Sequence, residues 1–118
     1  MKSLDGTLQA LADPTRRRVV DLLRERPRRA GELAAHFRMS PPAMSRHLRV
    51  LRQRGLVQED RVEDDARVRV YRLCPEPFRD LQQWLDSVES FWTDQLDAFK
   101  RHAEARGRGR SRGRSGRR

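Results

Sequence analysis

The sequence predicts a mostly α-helical domain with one small β-hairpin, closed by a long C-terminal helix. Three observations carry that expectation. Apolar residues recur at helical spacing through most of the chain. Two helical stretches open on a capping side chain followed directly by proline, at Asp13-Pro14 and Ser40-Pro41. Only the segment from Leu56 to Leu73 is rich in strand formers. With 118 residues, 36% hydrophobic and 37% charged, the chain must build its core from a few stripes, and a large multidomain enzyme is excluded.

Leu4, Leu8 and Leu11 define a first helix, and Pro14 to about Arg26 a second, whose inner stripe is Val19, Val20, Leu22 and Leu23 before Pro27 breaks it. Residues 29 to 37 give a short third helix with Leu33, Ala34 and Phe37 inward; Arg29 is a poor cap, so its start is weakly marked. Ser40 starts the fourth, which places Met44, Leu48 and Leu51 on one face and stops at Gly55. Only Arg38 and Met39 separate the third and fourth helices, the spacing of a helix-turn-helix. Leu56-Val57 and Val68, Val70 and Tyr71 then form two strands about the polar turn Glu63-Asp64-Asp65-Ala66, a wing beside the helices.

From Pro77 to about Arg106 the helical period is unbroken, and Phe78, Leu81, Trp84, Leu85, Val88, Phe91, Trp92, Leu96, Phe99 and Ala103 fall in one arc. A helix of about 28 residues is about 42 Å long, more than so small a body can cover. A second copy is the expected cover, with Leu4, Leu8 and Leu11 joining Leu81, Trp84, Leu85, Val88, Phe91, Trp92 and Phe99 in the interface. The domain is therefore drawn over residues 1–105, and the Arg/Gly/Ser-rich segment 106–118 is expected to be a disordered basic tail.

Charge points to the partner. The net charge is +10; seven arginines lie between Arg106 and Arg118, and residues 14–72 carry 16 basic and 8 acidic side chains. Residues 77–105 reverse the balance, with 3 basic and 6 acidic side chains, so one face should attract polyanions and another should not. No apolar run approaches the roughly 20 residues of a membrane span, and the N-terminal stretch lacks the apolar core of a secretion signal. A cytoplasmic protein without a membrane partner is expected. The single cysteine, Cys74, allows neither an internal disulfide nor a thiolate-rich zinc site.

With Met44, Leu48 and Leu51 turned inward, Pro42, Ser45, Arg46 and Arg49 are left on the outer side of the fourth helix. Ser40 caps it, and the positive end of its dipole, with free N–H groups in the first turn, suits a phosphate. Arg46 is the natural base reader, because a guanidinium bonds guanine O6 and N7 as a pair. Arg67 and Arg69 share one face of the wing strand and either reach a nucleic-acid groove or backbone or are balanced by Asp60, Asp64 or Asp65.

Three stretches, ADPTRRRVVDLL at 12–23, SPPAMSRHLRVLRQRGLV at 40–57 and ARVRVYRL at 66–73, resemble the ArsR family of bacterial winged-helix repressors, over roughly residues 4–104. The resemblance implies a homodimer that binds a near-palindromic operator in double-stranded DNA through the helix-turn-helix and wing, and that releases it to an effector in many members. An unidentified small-molecule effector stays open as a partner. Family members often carry a polar residue where this chain has Pro41, so one specific contact is expected to be missing. Metal-sensing members often carry a cysteine pair in the first helix of the helix-turn-helix, where this chain reads Glu32-Leu33-Ala34-Ala35-His36-Phe37. His36 alone, and His102 with Glu104 on the terminal helix, do not supply enough ligands, so neither metal nor cofactor is expected.

Two other classes compete. An enzyme needs a clustered acid-base or nucleophile set, and the three histidines fall on separate elements with no glycine-rich phosphate loop, so no catalytic residue is assigned. A general nucleic-acid-binding or architectural protein driven by the basic tail is the stronger rival.

Overall fold

The computed structural model describes residues 3–62 and 65–115, with side chains described for 3–62 and 68–107. In chain order it runs α1 (Leu4–Leu11), α2 (Pro14–Glu25), β1 (Arg28–Arg29), α3 (Ala30–His36), α4 (Pro41–Gln53), β2 (Val57–Val62), β3 (Asp65–Leu73) and α5 (Pro75–Ser115). The chain divides into two units, residues 1–81 and 82–118.

The helix starts follow from capping. Ser3 Oγ accepts from the Gly6 amide at 3.0 Å, and Asp13 Oδ1 accepts from Thr15 and Arg16 amides at 2.8 and 3.1 Å. Arg16 turns the chain between α1 and α2, donating to the last carbonyls of α1 at Ala10 (2.7 Å) and Gln9 (3.2 Å). Arg29 makes no side-chain cap to α3, as its chemistry suggests.

The ends of α3 and α4 obey one rule. Beyond α4, Gly55 has φ 80°, its amide donates to Arg52 O at 3.0 Å, and the Leu56 amide donates to Leu51 O at 2.9 Å. Leu51 and Leu56 are both fully buried, so the motif closes on a hydrophobic contact. Beyond α3 the pattern recurs with Arg38 at φ 53°: its amide donates to Ala35 O at 3.2 Å and the Met39 amide to Ala34 O at 2.9 Å. This left-handed pair of reversals sets the entry and exit of α4.

Ten residues form the core of the first unit: Ala10, Val19, Leu23, Leu33, Ala34, Met44, Leu48, Leu51, Leu56 and Val57. Each large one contributes about 1.5–3 kcal/mol by leaving water. Val20 and Leu22, assigned inward with Val19 and Leu23, are only half-buried at its margin, as are Leu11 and Phe37. Twelve-residue α2 has room for one buried stripe, and Val19 with Leu23 fills it.

The hairpin carries a third strand that the sequence does not announce. The sheet order is β1-β3-β2, with Arg28 opposite Tyr71 and Val57 opposite Leu73, and a bulge between Arg61 and Val62. Two residues are too short a signal for a strand. What fixes β1 is Arg28, which donates to Leu22 O at 3.1 Å and pairs with Glu25 and Glu32, each at 2.7 Å. The predicted turn residues Glu63 and Asp64 lie outside the described residues.

In the second unit α5 continues as one helix. It begins two residues before the predicted Pro77 and reaches Ser115, beyond Arg106, where composition predicted loss of regular structure. Arginine is a good helix former and interrupts the glycines of this stretch. Within the unit Trp84, Leu85, Phe91, Trp92, Leu96 and Phe99 are all exposed, Phe99 to 70%.

The reversals make a stability prediction. Gly55→Ala should lower unfolding free energy by about 1 kcal/mol, while Arg38→Gly should raise it by up to about 1 kcal/mol, since only the former adds a Cβ at positive φ. Urea denaturation of the two variants beside the parent checks both signs.

Candidate nucleic-acid interface

The outer face of α4 is built by its inner one. Met44, Leu48 and Leu51 are at most 1% exposed, and at 3.6 residues per turn their burial leaves Pro42, Ser45, Arg46 and Arg49 pointing outward. All four are exposed, as is Ser40. Arg46 and Arg49 make no ion pair among the described residues, so both guanidiniums are available to an external anion. His47 is half-buried beside this face.

The first turn of α4 departs from the sequence reading. Pro41 and Pro42 have no N–H to offer, the Ala43 amide donates to Ser40 Oγ at 3.3 Å, and the Met44 amide donates to Ser40 O at 3.1 Å. No free amide is left in this turn for a phosphate. What remains is the dipole and the Ser40 hydroxyl proton, which its role as cap acceptor leaves free to donate.

On the wing, Arg69 is balanced, but by an acid the sequence reading did not consider. It donates to Glu59 Oε1; Arg52 Nη1 donates to Glu59 Oε2 at 2.5 Å; and the Tyr71 hydroxyl donates to Glu59 Oε2 at 3.2 Å. Asp60, one of the expected partners, pairs instead with Arg72 at 2.7 Å. Asp64 and the side chains of Asp65 and Arg67 lie outside the described ones. Glu59 sits opposite Tyr71 in the ladder, which only the β2–β3 register reveals. Ser45, Arg49, Arg52, Glu59, Arg69 and Tyr71 line a cleft of about 150 Å³ between α4 and the wing.

Burial by itself would raise the Glu59 carboxyl, but the Arg69 hydrogen bond and charge, with help from Tyr71 and Arg52, outweigh it and hold the group below its ordinary value. Tyr71 is pushed up by burial and by the adjacent carboxylate. Burial also raises the Cys74 thiol, the reverse of what a reactive thiolate needs.

Other sequence candidates separate. His36 is exposed and meets Phe37 edge to face at 5.1 Å. No group of three or more His, Cys, Asp or Glu side chains among the described residues could hold a metal ion. No described helix is long and apolar enough to cross a membrane. Within the first unit an open groove of about 480 Å³ is lined by Arg18, Asp21, Leu22, Glu25, His36 and Phe37.

A short two-helix turn, a second helix with an exposed basic outer face and a hairpin placed beside it define a winged helix-turn-helix, a DNA-binding module. Comparison with known proteins agrees. Residues 13–59 match the family model "Bacterial regulatory protein, arsR family". The chain is 38% identical over 106 residues to the HTH-type transcriptional regulator Rv2034 of Mycobacterium tuberculosis, covering 90% of this chain and 94% of that one. It is also 38% identical over 58 residues to the transcriptional repressor SdpR of Bacillus subtilis, a match spanning 49% of this chain and 64% of SdpR. Among solved structures, an ArsR family transcriptional regulator superposes with a TM-score of 0.69 at 36% identity, over 75% of this chain and 94% of that one. The chain belongs to the arsR family of bacterial DNA-binding transcriptional regulators.

The ionisation of Glu59 predicts an acid limb. Because its carboxyl is depressed in the folded state, its stabilisation is complete above the ordinary glutamate value of 4.5 and is lost as pH falls through the folded value. The stability gap between the parent and Glu59→Gln should therefore be constant near neutrality and shrink below about pH 4.5. Denaturant titrations across that range check it; a gap that widens on acidification contradicts the sign.

Proposed function

We propose that the protein is a homodimeric repressor, working in the cytoplasm without catalytic activity, that binds a near-palindromic operator. The observation that carries this reading is the exposed face of α4, where Ser45 stands with Arg46 and Arg49, neither arginine ion-paired among the described residues, beside the cap at Ser40. Arg46 reads a base, Ser40 and Arg49 hold phosphates, and the wing extends the contact toward the adjacent groove. The repressor role is borrowed from SdpR, whose name carries it. Segment 106–118 adds sequence-independent affinity through its arginines.

Selection of bound sequences from random DNA with purified protein tests the reading. A short two-fold site with half-sites about 34 Å apart is the expected outcome; even retention of all duplexes would favour the architectural alternative. Against the selected site, Arg46→Ala should cost about 1–3 kcal/mol while leaving affinity for scrambled duplex nearly unchanged. Equal losses on both DNAs would reduce Arg46 to a phosphate contact.

The dimer rests on the uncovered face of α5, where Trp92 is 57% and Phe91 56% exposed. Contiguous apolar surface of this kind is unusual on a monomer. We place Leu81, Trp84, Leu85, Val88, Phe91, Trp92 and Phe99 in the interface together with Leu4, Leu8 and Leu11, the last of which also packs on the core of its own domain. Replacing Val88 and Phe91 with aspartate should give a monomer that binds the operator poorly though no DNA contact has changed. Sedimentation decides: a parent protein that is monomeric at micromolar concentration, or a double variant that stays dimeric, would remove the two-half-site reading.

A further inference from the structure

Glu59 presents a contradiction in charge. It is a carboxylate set in the cleft between α4 and the wing, among Arg49, Arg52 and Arg69, on a surface whose ligand is a polyanion. Seen only as a charge, it repels phosphate and weakens binding. Yet it is closely engaged: its side chain is 11% exposed and takes one bond from α4 through Arg52, one from β3 through Arg69 and a third from the Tyr71 hydroxyl. The two arginines remain about half exposed, Arg52 to 51% and Arg69 to 50%, so their outer N–H groups still face solvent.

We propose that Glu59 is a positioning residue for operator recognition, a carboxylate latch that ties the end of the recognition helix to the wing and holds Arg52 and Arg69 at a fixed spacing for adjacent backbone phosphates. This rests on the operator reading above. Phosphate contacts carry no sequence information directly but set the register in which base-reading side chains meet their bases. A long arginine side chain left to itself samples many rotamers, and ordering it on binding costs free energy; an arginine already clamped by a carboxylate has met that cost in the free protein. The latch therefore trades raw attraction for register. Tyr71, raised from the sheet floor opposite Glu59, fixes the carboxylate in turn.

The trade has a distinctive signature. Glu59→Gln removes one negative charge and weakens the clamp on both arginines, so scrambled duplex should bind as tightly as before or tighter. The selected operator should bind about ten-fold more weakly, within the range for losing one well-placed contact. The ratio of the two affinities, measured by competition at one salt concentration, is the readout, and it is one that a general loss of stability would not move selectively. If affinity for both DNAs rises or falls together and the ratio stays at the parent value, Glu59 is a countercharge and the latch is wrong. Should Glu59→Gln fail to fold by circular dichroism, Tyr71→Phe removes the hydroxyl that fixes the carboxylate and leaves both arginines in place. There the latch predicts a lower ratio, whereas equal losses on both DNAs would overturn it. A parent protein with no preferred sequence overturns the operator reading and the latch together; a ratio that keeps the parent value after latch removal overturns the latch alone.

Discussion

Burial of Met44, Leu48 and Leu51 constrains everything that α4 can present. The stripe meets Leu33 and Ala34 from α3, Val19 and Leu23 from α2, and Leu56 and Val57 at the start of the hairpin, so rotating α4 about its axis would expose apolar surface on three neighbours at once. At about 1.5–3 kcal/mol for each large side chain, no rearrangement of the outer arginines could offset that loss. The exposed face of α4 is thus rigid because its opposite face is anhydrous. The core thereby fixes where the exposed side chains of α4 stand.

The reversals at Arg38 and Gly55 convert this packing into a direction. Each closes a helix with paired hydrogen bonds from residues just beyond its end, leaving few orphan carbonyls and little slack in the chain. At Arg38 the turn tolerates a side chain at positive φ, a conformation that glycine would adopt more cheaply. That position is solvent-exposed on the loop leading into α4, where a cationic side chain adds to the positive field around the recognition helix.

Much of this was legible in the sequence, for identifiable reasons. Cap-plus-proline at Asp13 and Ser40, and the glycine stop at Gly55, are local signals whose physics is complete within a few residues, and the elements they bound fall where expected. The exposed set Ser40, Pro42, Ser45, Arg46 and Arg49 followed from the period of one helix. What escaped depended on partners distant in sequence. β1 exists because Arg28 finds Glu25, Glu32 and the Leu22 carbonyl, and a two-residue strand carries no pattern of its own. Glu59 escaped because its meaning lies in the register that sets it opposite Tyr71 and within reach of Arg52 and Arg69. The N–H groups assigned to a phosphate failed for a simpler reason, since both prolines and the Ser40 cap consume that turn locally.

The paired prolines at the start of α4 have a thermodynamic consequence. Each fixes φ near its helical value even in the unfolded chain, which reduces the conformational freedom given up on folding by the equivalent of about 0.4–1 kcal/mol. The first turn of a helix is ordinarily where fraying begins, and a turn that frays in the free protein must be ordered again each time it meets its ligand. Here that ordering is written into the covalent structure of residues 41 and 42. Association through this face can proceed as a collision of preformed surfaces, its speed limited by diffusion and orientation and not by the refolding of a helix turn.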